Sequence, residues 1–164
     1  MTFEEWLRSV PSNLTCDPLW KMKVYQLALF AGDLGWSDVS RLMKDERTRS
    51  LANQLYRAIG SISANIAEGY SRRSRKDRAR FYEYALGSAR EARTWYYQGR
   101  NILSAKVVSH RLQLLTNIIR LLLTIIPSER SWRVAEESVT YQVDISGHSG
   151  DILNPDILDN VPMP

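Results

Sequence analysis

The chain has 164 residues, 44% of them hydrophobic and 24% charged, with a formal charge of +4 and one cysteine. That length carries a single domain with a core of its own, so disulfide or metal staples are not needed. The lone Cys16 excludes an internal disulfide, and the start Met1-Thr-Phe-Glu-Glu carries acids where a secretory signal needs positive charge; the expected compartment is the cytoplasm.

Thr2 and Glu5 stand at capping-box spacing, which predicts a short amphipathic helix stopped by Pro11 and lying on the domain as a lid. Asp17-Pro18 is an N-cap followed by proline at the first helical position, and opens the first long helix. Trp20, Val24, Leu27, Ala31 and Leu34 then share one helical face with an end near Met43, and Gly32 and Gly35 weaken the helix enough to leave a kink or break near Gly35 open.

Leu51, Leu55, Ile59, Ile62 and Ile66 stripe a second helix from about 46 to 70, interleaved with small residues that allow another backbone to approach closely. Ser71-Arg-Arg-Ser74 is a turn, and Ser74 with Asp77 three residues on caps a third helix. That helix carries Phe81, Ala85, Ser88, Ala92, Trp95, Gly99 and Ile102 on one face. A tight turn at Ser104-Ala105 leads to a fourth helix over about 106–126, closed by Pro127.

The fourth helix is apolar around most of its circumference, more than one subunit's bundle needs. The surplus predicts a homo-oligomer with Leu114, Ile118, Leu121, Leu122 and Ile125 at the interface. Arg111 and Arg120 within this helix argue against a membrane span. From residue 128 on, two bases meet seven acids, a net of −5, which leaves +9 on residues 1–127. The expected organisation is a lead-in (1–16), an all-α up-down-up-down four-helix bundle (17–127) and an acidic, mostly disordered tail (128–164).

Two constellations carry candidate chemistry. Arg72, Arg73, Arg75, Lys76, Arg78 and Arg80 crowd the second turn with only Asp77 among them. They read either as a nucleic-acid contact, where bases meet phosphate and release counterions, or as a solvated turn that keeps the bundle soluble. Helix electrostatics favour the first, because cations in the opening turn of a helix oppose its dipole unless an anion joins them. Nearby aromatic residues (Tyr82, Tyr84, Trp95, Tyr96, Tyr97) read as packing in preference to base stacking.

Asn65 and Glu68 on the second helix, with Ser88 and Glu91 on the third, are expected in the interior. Paired acids there invite an acid–base or metal reading, but the Glu-x-x-His motif of helical di-metal sites is missing, and no serine or cysteine triad can be assembled. They read instead as a hydrogen-bond network, with Arg57 or Arg93 paired to Glu68, that fixes helix register. No catalytic residue, metal or cofactor is expected.

Gln54-Leu55-Tyr56-Arg57-Ala58, then Ser61-Ile62-Ser63-Ala64-Asn65-Ile66-Ala67-Glu68-Gly69, then Phe81-Tyr82-Glu83-Tyr84-Ala85-Leu86-Gly87-Ser88-Ala89-Arg90-Glu91 form a long, specific pattern. Over about residues 18–127 it resembles the bacterial four-helix-bundle proteins named for the intervening sequences of 23S ribosomal RNA genes. The resemblance implies a left-handed antiparallel bundle assembled as a ring, commonly a pentamer. The related accessory variability determinant of diversity-generating retroelements implies, by the same likeness, binding to a reverse transcriptase and to nucleic acid. The leading expectation is a non-enzymatic, homo-oligomeric scaffold that binds RNA or DNA, with docking to a reverse transcriptase as what the retroelement likeness adds. The competing expectation is a purely structural, protein-interaction bundle.

Overall fold

The computed structural model describes residues 2–130 and 158–164, and among them there are helices and turns but no strand. Two short helices, α1 (Phe3–Ser9) and α2 (Ser12–Thr15), precede four long ones: α3 (Lys23–Leu42), α4 (Arg49–Tyr70), α5 (Arg75–Gln98) and α6 (Ala105–Arg130). Connections of four to six residues make each long helix antiparallel to the last, and α3 closes the bundle against α6. The up-down-up-down four-helix bundle stands.

The lid forms as its residues dictate. Glu5 N donates to Thr2 Oγ1 (3.1 Å) and Thr2 N donates back to Glu5 Oε2 (2.7 Å), completing the capping box. Phe3 and Trp6 are buried against Phe30, with centroids at 5.1 and 5.3 Å, and Trp6 Nε1 donates to Asp33.

The first long helix starts later than its cap suggests. Asp17 accepts from Leu19 N (2.8 Å), but it caps only a 3-10 turn, Pro18–Lys21. Met22 is extended, and Gln26 Nε2 donates to the Trp20 carbonyl across the break (2.8 Å). The break left open at Gly35 does not form: α3 continues through it. Gly35 serves packing, because a Cβ there would lie 2.7 Å from Ile59 Cδ1 of α4. Likewise residues 46–48 form a 3-10 turn, capped by Asp45, before α4. Bonds from the Arg47 side chain and then its backbone hold the Asp45 carboxyl down at about 2.

Small residues set the closest approach. Ala52 and Ala58 of α4 and Ala79, Ala85, Ala89 and Ala92 of α5 are all buried. The buried face of α5 is rotated from the expected one: Tyr82, Leu86 and Tyr96 point inward, while Phe81, Ser88 and Trp95 are only half-buried. Tyrosine hydroxyls hid this face from a reading by polarity.

Helix α6 does not stop at Pro127. Proline has no N–H for the Leu123 carbonyl, yet the helix continues to Arg130 because its last turn is braced: Glu129 pairs with Arg78 (3.0 Å) and Arg130 with Glu83, both of α5. The boundary expected at 127/128 therefore falls inside a helix. Of the expected tail, residues 131–157 lie outside the described residues, and residues 158–164 return to the bundle, with Leu158 and Val161 packed on its core. By length and composition α6 is the one described helix that could cross a membrane. Here its apolar side chains pack into the bundle.

Candidate nucleic-acid interface and buried ion pair

The basic turn closes one end of the bundle. Helix α4 ends at Tyr70, Ser74 Oγ accepts from Asp77 N (3.3 Å), and α5 begins at Arg75. The expected cluster is brought together, but its members divide. Arg78 is half-buried and already engaged: its Nε donates to Glu129 (3.0 Å), and its NH1 to the carbonyls of Arg72 (3.1 Å) and Arg73 (3.3 Å). Its Nε and NH1 thus brace the turn, which leaves Arg78 fewer donors to offer a phosphate than its exposed neighbours have.

Arg72 lies over the Phe81 ring (4.7 Å) and pairs with Glu68, both partners being about half-exposed. Such an exposed pair is worth little and exchanges readily for another anion. Arg73, Arg75, Lys76 and Arg80 are exposed. Lys76 and Arg80 border a 300 Å³ groove with Asp77, Glu83 and Arg130. The surface is basic with acids set among the bases, and α6 ends beside it.

The expected interior network is not interior. Arg57, Glu68 and Glu91 are exposed; Asn65 and Ser88 are half-buried. Their bonds are local in sequence: Asn65 Nδ2 to the Ser61 carbonyl (2.8 Å), Ser88 Oγ to the Tyr84 carbonyl (3.0 Å) and Trp95 Nε1 to Glu91 (3.1 Å), while Glu68 pairs with Arg72 of the following turn, not with Arg57 or Arg93. The neighbouring apolar stripes take the core, which turns these positions outward.

The expected interface on α6 is corrected too. Leu114, Ile118 and Leu122 are buried in the subunit's own core, and Leu121 and Ile125 are half-buried against it. A helix facing two neighbours and the bundle centre covers more than a single stripe. Among the large hydrophobic residues of α6, Leu123 is the one left largely exposed.

The polar cluster that is buried went unread in the sequence. Asp38 of α3 and Arg111 of α6 are 0% and 1% exposed. Arg111 grips both carboxylate oxygens, Nε to Oδ2 (2.7 Å) and NH2 to Oδ1 (3.2 Å), and Tyr96 of α5 donates its hydroxyl to Oδ2 (2.7 Å). Burial, then the Asp38 charge, push the Tyr96 hydroxyl well above the ordinary phenol range, so it remains a donor. Arg111 NH1 also donates to His110 Nδ1 (2.9 Å), since a guanidinium has no acceptor, and NH2 donates to the Pro162 carbonyl (2.9 Å). Three helices and the C-terminal segment thus share one ion pair. Asn117 Nδ2 is buried with no partner among the described residues.

Fold and end surface together define the class: an antiparallel helical bundle with a basic end. The chain belongs to the family described as 23S rRNA-intervening sequence protein, which matches residues 21–124, from the lead-in of α3 through most of α6. No curated protein and no solved structure matches it.

Proposed function

We propose that the chain is a non-catalytic scaffold that assembles with copies of itself and binds RNA or DNA through the α4–α5 turn. The observation that carries this is the crowding of exposed Arg72, Arg73, Arg75 and Lys76 around the opening turn of α5. Arg72 and Arg73 suit the dipole at the end of α4, whereas the α5 dipole disfavours Arg75 and Lys76 by about 0.3–1 kcal/mol each, a cost that a bound phosphate reverses. The buried ion pair, closed off from solvent, supports a structural role for the interior.

Assembly rests on other residues than those of α6. Trp36 is 63% exposed and packs edge-on to exposed Tyr56 (5.9 Å). A Cβ at Gly32, Gly60 or Gly87 would meet nothing within 4 Å, so among the described residues these helical glycines have no packing reason. Close approach of another copy supplies one. A ring such as the pentamer implied by the family pattern is the reading adopted, in the cytoplasm, where the exposed Cys16 thiol would remain reduced. A nucleic-acid enzyme such as a reverse transcriptase is a partner this reading accommodates.

Fluorescence anisotropy with a labelled RNA tests the surface. Charge reversal of Arg73 and Lys76 should weaken binding about tenfold or more at low salt, while Arg57→Glu on the side of α4 should change it little. Equal affinity of all three proteins would reject the assigned face. Failure of the wild type to bind any nucleic acid would leave the second reading, an interaction bundle built around the exposed Trp36–Tyr56 face.

A further inference from the structure

The Arg111 guanidinium has its Nε and one NH2 bond on Asp38 and its NH1 bond on His110; the remaining NH2 bond goes to a carbonyl of the chain's own C-terminus. That segment is seated, not merely adjacent. Leu158 and Val161, three residues apart, pack on the core, and Pro162 supplies the carbonyl between them and the end of the chain. With the first turns of α6 the segment forms a groove of about 940 Å³, where Lys106, Ser109 and Gln113 face Asp159 and Asn160.

From these contacts we infer that the start of α6 is a peptide-binding site, and that residues 158–164 are its ligand, held in cis. Two apolar anchors and one backbone carbonyl on a fixed arginine donor are the elements by which short peptides are recognised. The geometry allows occupancy by the same chain. Nineteen helical residues separate Arg111 from Arg130, about 29 Å at 1.5 Å per residue. The 27 intervening residues reach at most about 90 Å. A tethered ligand of this kind acts at an effective concentration far above that of a free one.

The test uses the full chain and a fluorescein-labelled synthetic peptide of residues 158–164. Wild type should bind the peptide weakly, because its own segment occupies the site. The full-length variant Leu158→Asp/Val161→Asp, which alters only the ligand and leaves the α6 side of the site unchanged, should bind it about tenfold more tightly or better. The suppression in wild type should not change on dilution. Equal binding by the two proteins, or binding by neither, would overturn the inference. Suppression that fades on dilution would put the segment on a neighbouring copy and overturn occupancy in cis.

Discussion

Arg111 is the residue on which most of the fold's polar order converges, and it sits where a leucine would serve a simple bundle. An ion pair this deep gains little over well-packed apolar residues, yet losing one partner leaves an uncompensated charge. Asp38→Ala should therefore cost about 3–5 kcal/mol in urea denaturation, and the double variant Asp38→Leu/Arg111→Met should recover most of that loss. If the double variant is less stable than either single one, the cluster contributes more than a balance of desolvation and attraction. Tyr96→Phe removes a hydrogen bond to a charged acceptor and should cost about 1.5–3 kcal/mol. Asn117→Leu should do the reverse: deleting a buried donor that has no partner among the described residues should raise the denaturation midpoint, by about 1 kcal/mol in stability. Both charges of the pair were visible in the sequence. Asp38 continues the step of Ala31 and Leu34, and Arg111 lies between Val107 and Leu114 on an apolar face. Their separation of 73 positions hid the partnership, and each read alone as a polar interruption.

The glycines of the helices sort into two kinds. A Cβ at Gly69 would fall 2.7 Å from the Tyr82 ring, whereas one at Gly60 would meet nothing. Gly69→Ala should lower stability despite the better helix propensity of alanine, since forcing an extra carbon into packed space costs about 1–3 kcal/mol. Gly60→Ala should raise subunit stability by about 0.5–1 kcal/mol and weaken assembly at the same time. Unchanged assembly in Gly60→Ala would remove that face from the interface. Existence and order of the long helices were legible, as were the Ser74 cap of α5 and the capping box of the short α1, because caps and apolar stripes act locally. Ends were less so. The persistence of α6 past Pro127 depends on Arg78 and Glu83 of another helix, 51 and 47 positions away from their partners, and no local signal records that. The interior position expected for Glu68 and Glu91 failed for a similar reason: the pairing of helices, not the spacing within one, decides which face turns inward.

At the scale of the molecule, the described residues form a bundle with a dense basic turn at one end and a last helix largely satisfied by its own neighbours. That second point shifts the case for assembly from the apolar run of α6 to the aromatic pair and open glycines of α3 and α4. Light scattering at micromolar concentration should give a mass several times 18.9 kDa, and a lone subunit would contradict the assembled scaffold. The basic end makes the sharper demand. If Arg73, Arg75 and Lys76 each neutralise a phosphate, the logarithm of the association constant for a duplex should fall against the logarithm of salt with a slope of about −2.7, or about 40-fold between 50 and 200 mM. A salt titration of wild-type binding measures this directly. A slope in that range is the predicted result, and binding that ignores salt, or no binding at 50 mM, would contradict the account.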